Sequence, residues 1–381
     1  MNRTTPLYLA VVASLLAVPA AQAAVKIGSV GQTDLSLEGL LQADGNWYSS
    51  DQRNLGDDRL RMRRAELVLK GDGPGPLDWT LGWDAKAEKF LDANVRARWQ
   101  SGDLKHSLRV GQFKQPNSLE ELSSTGANDF IAKATATSTY AIGRRLGLGY
   151  ELGGQRWGIS ASVFGDELTN GLAEGNGQAL RGWWLPHAGA GNTVHLGINH
   201  ARYDLPADTL RLRARPNADL ADVRLIDTGR LPGTDRLATT GVEALWLAGP
   251  WKLQAEYFTA TGQRQASADF DSHGGYASAV YNLGGHAWSY SGGVPSPPKA
   301  GSLAGGLWQL GARYDQLDLD DGAVAGGKQQ ALTLGVNYWY GAHSKFALNW
   351  VKLRSERFDA ATGSTLSDDP DILEARIQLH W

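Results

Sequence analysis

Residues 371–381 read Asp-Ile-Leu-Glu-Ala-Arg-Ile-Gln-Leu-His-Trp, and this segment constrains the fold more than any other. Leu373, Ala375, Ile377, Leu379 and Trp381 alternate strictly with Glu374, Arg376, Gln378 and His380. Successive side chains of a strand point to opposite faces, so one face here suits hydrocarbon and the other water. A wall strand of a transmembrane barrel has that split. So does a half-buried strand of a soluble sheet. The rest of the chain has to separate the two.

The N-terminus favours the barrel. Arg3 is followed by an apolar run from Leu7 to Ala17 and by the small-residue cleavage pattern Ala21-Gln22-Ala23. Residues 1–23 therefore read as a secretory signal peptide, with the mature chain starting at Ala24. Beyond it, no apolar run approaches the roughly 20 residues that a spanning helix needs. The formal charge of −3 becomes −4 without Arg3, which gives no bulk attraction for nucleic acid. The chain has no cysteine, which excludes a small disulfide scaffold and cysteine metal sites. Its 14 tryptophans suit the aromatic girdles of a membrane barrel.

Period-two segments recur at about 35–48, 59–70, 77–86, 92–101, 105–113, 145–152, 156–164, 178–186, 192–203, 236–247, 251–259, 272–284, 305–318, 328–340, 345–356 and 371–381. In 92–101, Val95, Ala97 and Trp99 oppose Arg96, Arg98 and Gln100; in 251–259, Trp251, Leu253, Ala255 and Tyr257 oppose Lys252, Gln254 and Glu256. A seventeenth segment, 286–292, runs into the proline-rich stretch up to Pro298. Bacterial single-chain barrels have an even strand count, so it is set aside as part of a long periplasmic excursion at about 285–304. Tight turns with Gly or Pro, such as Gly71–Pro76 and Ala248–Pro250, alternate with long links at 49–58, 114–144, 165–177, 204–235, 260–271, 319–327 and 357–370. The expected fold is all-β: one domain over 24–381, a 16-stranded antiparallel transmembrane β-barrel.

Residues 109–125, Arg-Val-Gly-Gln-Phe-Lys-Gln-Pro-Asn-Ser-Leu-Glu-Glu-Leu-Ser-Ser-Thr, resemble a signature of the phosphate-selective porin O and P family. Met62-Arg63-Arg64-Ala65-Glu66-Leu67 resembles its double-arginine strand, and Tyr140–Tyr150, Trp308–Asp318 and Leu334–Tyr340 also match family patterns in collinear order. The resemblance implies a trimeric anion porin of the bacterial outer membrane, with the loop at about 114–144 folded into the pore. The implied partners are phosphate, pyrophosphate or polyphosphate, outer-membrane lipid and two further copies of the chain; no cofactor is implied. Trp381 takes the place of the terminal aromatic that barrel assembly recognises, where phenylalanine is usual.

Phosphate passage needs cations and donors at a constriction, without binding so tight that the ion stays. By resemblance, Arg63 and Arg64 lie at the eyelet, Ser124 and Thr125 match hydroxyl donors, Lys133 falls where an eyelet arginine stands, and Asp92 matches an acid that shapes the field. Arg59, Arg61, Arg63 and Arg64 form the densest basic cluster, but the first three have the opposite parity to Arg64 and Glu66. Either a bulge at about Arg63–Arg64 resets the register, or Arg59 and Arg61 lie above the membrane. Arg96, Arg98, Arg109, Arg313 and Arg376 have lumenal parity; they form a basic track or brace the wall through Glu66, Glu256, Asp315 or Glu374. Arg211, Arg213 and Arg215 alternate in the 204–235 link, as a vestibule or a solvated strand.

Three positions depart from the phosphate-selective pattern: Leu40 stands for an arginine, and Thr80 and Glu121 stand for lysines. A weaker or wider anion site, or a general porin, remains an alternative to orthophosphate selectivity. An outer-membrane enzyme is the rival from another class. Gly158-Ile-Ser-Ala-Ser breaks the Gly-x-Ser-x-Gly pattern at its last position, His195 and His200 differ in parity, and no His-Glu-x-x-His occurs. The expectation is a channel and no enzyme.

Overall fold

The computed structural model describes residues 24–170 and 176–381; the predicted signal peptide lies outside the described residues. Its main sheet has eighteen strands, of which Val25–Val30 and Ser364–Asp368 are side extensions on the first strand and on the fifteenth. The other sixteen form a closed antiparallel ring. They are β1 (Thr33–Ser49), β2 (Arg59–Asp72), β3 (Leu77–Asp84), β4 (Lys89–Ser101), β5 (Leu104–Lys114), β6 (Arg144–Gly153), β7 (Trp157–Phe164) and β8 (Gly177–Gly189). Then follow β9 (Asn192–Asp204), β10 (Thr234–Ala248), β11 (Trp251–Arg264), β12 (Phe270–Asn282), β13 (Leu307–Asp321), β14 (Val324–Tyr340), β15 (Ser344–Asp359) and β16 (Asp371–His380). Each expected segment is a strand, with ends moved by a few residues. The ring closes where β1 lies against β16, with Leu40 opposite His380 and Ser49 opposite Asp371.

The alternation sets which face is which. On β10, Val242 and Trp246 are exposed while Glu243 and Leu245 are buried; on β16, Leu373 is exposed while Glu374, Arg376 and Gln378 are buried. Apolar out and polar in is the reverse of a soluble protein and is the transmembrane barrel pattern. Trp99, Trp246, Trp251, Trp308 and Tyr340 are exposed near the short-turn end of the wall, and Trp47 and Trp83 near the other.

The register of β2 resolves the parity of its arginines. Gln42 pairs with Arg64 and Ala43 pairs with Met62, so Arg63 is the extra residue of a bulge. Leu60 and Met62 then face outward and are exposed, which turns Arg59, Arg61 and Arg63 to the lumen along with Arg64.

The segment 286–292 is outside the ring, as its proline-rich flank suggests. Ser289–Ser291 pairs only with Val294–Ser296. The turn that carries this hairpin, 283–306, folds back into the barrel and buries Trp288 against Leu245, Leu247 and Val280.

The final residue completes the seam. The Gly39 N–H donates to the Trp381 carbonyl at 3.0 Å, and the Trp381 N–H returns a bond to the Gly39 carbonyl at 3.2 Å. A Cβ at Gly39 would overlap the Trp381 ring. Gly39→Val should therefore lower the yield of heat-resistant folded barrel on gels, whereas Gly182→Val, at a site with open space, should not. Equal yields would count against this packing.

Candidate functional site

One long link folded into the lumen is that between β5 and β6, residues 115–143. It contains α1 (Leu119–Leu122), a 3-10 turn (Thr125–Ala127) and α2 (Thr135–Tyr140). Ser118 caps α1 by accepting from the Glu121 N–H at 3.1 Å. Glu256 of β11 accepts from the N–H groups of Leu119 and Glu120, both at 2.7 Å. Those donors have no partner within the helix, so a carboxylate on the far wall satisfies them and pins the link there.

Further wall side chains stitch the link down. Asn349 Oδ1 accepts from the Ile131 N–H at 2.7 Å, Arg313 Nη1 donates to the Ala132 carbonyl at 2.9 Å, and Asn337 Nδ2 donates to the Asp129 carbonyl at 2.8 Å. Lys252 pairs with Asp129 at 2.5 Å, and the Phe130 ring lies under Arg313 at 4.8 Å. All these partners come from β11 to β15. The link between β9 and β10, residues 205–233, covers α2 from the long-link end. Leu210, Leu212, Ala214, Ile226 and Leu231 pack there with Ala136, Tyr140, Phe258 and Phe270. That half of the lumen is a protein core.

The open passage is left on the β1–β6 side. It is a cavity of about 1210 Å³, lined by Lys70, Arg96, Arg98, Arg109, Lys114 and Arg144 and by Glu38, Glu66, Asp72, Asp78 and Asp92. Ser123, Ser124, Thr125 and Gly126 of the link and Pro297 to Ser302 of the inserted turn also line it. Most of its cations are partly neutralised. Lys70 pairs with Glu38 at 2.6 Å, Arg96 with Asp78 at 3.0 Å, and Arg144 with Asp92 at 2.8 Å. Arg98 pairs with Asp78 at 2.8 Å. Arg109 is the least neutralised of the arginines: Glu151 lies 3.7 Å away, and its Nε has no hydrogen-bond partner among the described residues. Lys299 lines the passage with no ion pair among the described residues.

Ser124, Thr125, Asp92, Arg96, Arg98 and Arg109 thus come together on one passage. The other candidate site residues, Arg59, Arg61, Arg63, Arg64, Lys133, Arg313 and Arg376, do not line it. Arg63 donates through Nε and Nη2 to Asp219 at 2.9 and 2.7 Å, and Arg59 pairs with Asp222; both tie β2 to the 205–233 link. Arg64 pairs with Glu66 at 2.9 Å, and Arg61 is exposed. Lys133 pairs with Glu121 inside the constricting link.

Arg313 and Arg376 have the lumenal parity read from the sequence but brace the interior. Arg313 lies 3.2 Å from Asp315 under the link. Arg376 makes two bonds of 2.6 Å to Asp44 across the β1–β16 seam, rather than to Glu374. Breaking such a buried pair costs about 3–5 kcal/mol. Arg211 pairs with Asp227 at 2.6 Å on an exposed edge whose other face, Leu210 and Leu212, is buried.

Four lining cations were missed as site residues in the sequence: Lys70, Lys299, and Lys114 and Arg144 at the two junctions of the constricting link. A basic residue on each flank of the loop expected to fold into the pore is a signal that was available. Lys114 donates to the carbonyls of Glu121 and Ser123, the latter at 3.1 Å, and lies 3.7 Å from the Glu121 carboxylate. Burial pushes the Glu121 carboxyl up, but Lys133 and Lys114 outweigh it and hold the group below its ordinary value. Glu121 is thus ionised at neutral pH and occupies two ammonium groups.

Comparisons with known proteins fit this geometry. Porin O of Pseudomonas aeruginosa is 26% identical over 390 residues, covering 90% of this chain and 87% of its own length. An uncharacterized protein of Caulobacter vibrioides is 31% identical over 312 residues, 76% of this chain, and only 62% of that relative's length is spanned. Among solved structures, OmpT, an outer membrane protein of Vibrio cholerae, superposes with a TM-score of 0.60 at 10% identity, covering 94% of this chain and 100% of that one. An anion-selective porin from Comamonas acidovorans gives 0.57 at 12% identity, with 92% and 100% covered. These two share the fold. Residues 36–381 match the sequence profile of the family described as phosphate-selective porin O and P, and the chain belongs to that family.

Proposed function

We propose that the chain is an outer-membrane porin for passive diffusion of small anions, phosphate and pyrophosphate or polyphosphate among them. The observation that carries this reading is the cationic wall of the passage, from Lys70 through Arg96, Arg98 and Arg109 to Lys114 and Arg144. Its cations outnumber the lining carboxylates, which favours anions. The carboxylates keep each guanidinium half engaged, so an anion exchanges partners and leaves. Ser124 and Thr125 supply hydroxyl donors beside it, and Asp92 orients Arg144. Arg63 and Arg64 sit on the approach from the long-link end. Lys133 acts at one remove, through Glu121.

A porin that merely prefers anions, with no phosphate site, is the second reading, favoured by the close match of carboxylates to cations. The family is one of channels, and the passage offers a route rather than a reaction centre. A homotrimer is proposed from the family resemblance and from the trimer form in which the Vibrio cholerae protein is described.

The test is block of chloride current in planar bilayers. Pyrophosphate or phosphate should slow chloride current, and Arg109→Gln with Arg144→Gln should weaken that block several-fold, on the order of 1 kcal/mol for two half-screened charges. Chloride current that neither anion slows would leave only the second reading.

A further inference from the structure

The passage has two unlike walls. Six of its cations come from β2, β4, β5 and β6, and Lys299 comes from the inserted turn. The wall from β14 round to β1 is apolar where it meets the constricting link and the inserted turn: Leu40, Ala127, Pro297, Pro298, Ala300 and Trp339 all line the same cavity. This is a packed surface, because Ala300, Leu307 and Trp339 form one buried cluster with Ala127 and Leu303 against it. The Trp339 indole is fixed by its Nε1 bond to Gln309 at 2.7 Å. Two of the positions where the family resemblance leads one to expect cations, Leu40 and Thr80, line this passage and are neutral.

A bare inorganic phosphate crossing here meets Lys299 on that side but receives no hydrogen bonds from Leu40, Pro297, Pro298 or Trp339, against which it gives up water. An anion with a flat apolar body gains on that side, because the body leaves water against the partly exposed rings of Pro297 and Pro298, backed by the buried Trp339, while the charged head stays on the arginines. We propose that the passage favours anions that join a phosphate or carboxylate head to an aromatic body over inorganic phosphate of similar charge. This rests on the porin reading and names the solute class within it. The cavity of about 1210 Å³ has room for a single-ring solute.

The experiment uses the purified full chain in planar bilayers and two probes, inorganic phosphate and phenyl phosphate, titrated against chloride current at one pH. Phenyl phosphate should halve the current at about tenfold lower concentration than inorganic phosphate. Pro298→Ser should raise the phenyl phosphate requirement several-fold and leave inorganic phosphate unchanged. Leu40→Arg should lower the requirement for inorganic phosphate. If Leu40→Arg does not assemble, Pro298→Ser carries the test, since its ring is partly exposed to the passage. Equal or tighter block by inorganic phosphate overturns the proposal while leaving the porin reading intact. So does a phenyl phosphate advantage that Pro298→Ser does not reduce. Cation preference with no block by either probe overturns the porin reading itself.

Discussion

Replacing Glu121 by glutamine is expected to strengthen anion block by about tenfold. Glu121 is the only carboxylate paired with Lys114 or Lys133 among the described residues. All three side chains are mostly buried, with exposures of 12–17%, so solvent screens them little. Removing one negative charge takes the carboxylate from two lysines beside the passage, one of them lining it. Burial and their mutual repulsion then disfavour two ammonium groups, so the block is read below neutral pH, which favours the protonated forms. A unit charge about 8 Å away at an effective dielectric of about 20–40 is worth roughly 1–2 kcal/mol. That is about tenfold in affinity. The phosphate concentration that halves chloride current should fall accordingly, and Glu121→Asp, which keeps the charge, should resemble the parent. Unchanged or weaker block in Glu121→Gln would mean that the Lys114 ammonium does not act on ions in the passage.

The second large effect is expected at Phe130. Its ring is 4% exposed, packs under Arg313 and joins Leu119, Leu245, Leu247, Val280 and Trp288 in one cluster. The wall makes room for it with two glycines: a Cβ at Gly311 would come within 3.1 Å of the ring, and one at Gly335 within 3.2 Å. Phe130→Ala removes about 3–5 kcal/mol of packing. The ring of strands keeps its ladder of backbone bonds, so the loss falls on the docking of the 115–143 link. Single-channel steps should become larger and noisier, with weaker anion preference, while the barrel still assembles. Steps of parental size and selectivity would show that the polar stitches hold the link without the ring.

The wall was legible in the sequence, as was the inward fold of the 114–144 loop by resemblance; the rest of the filling of the lumen was not. A membrane barrel repeats one local rule, apolar out and polar in, so segments such as 251–259 announce themselves without a partner. The parity break at Arg63–Arg64 was legible for the same reason, because a bulge is a local fault in a period. Parity says only that a side chain points inward. It does not say whether open passage or another loop lies there, which is why Arg313 and Arg376 read as pore cations and are buried braces. The pairs that decide this join residues far apart, Asp44 with Arg376 and Arg63 with Asp219, and no spacing encodes them. The Glu121 clamp was half visible: an acid stood where a lysine was implied. Its effect on Lys114 and Lys133 appeared only once the link was folded.

On the porin reading, the β1–β6 side of the lumen carries a net cationic route along the barrel. The reversal potential across a bilayer in a potassium chloride gradient tests it most directly. A potential on the chloride side of zero, moving toward zero when Arg96, Arg109 and Arg144 are replaced by glutamine, is the predicted result. A potential on the potassium side in the parent protein would contradict it.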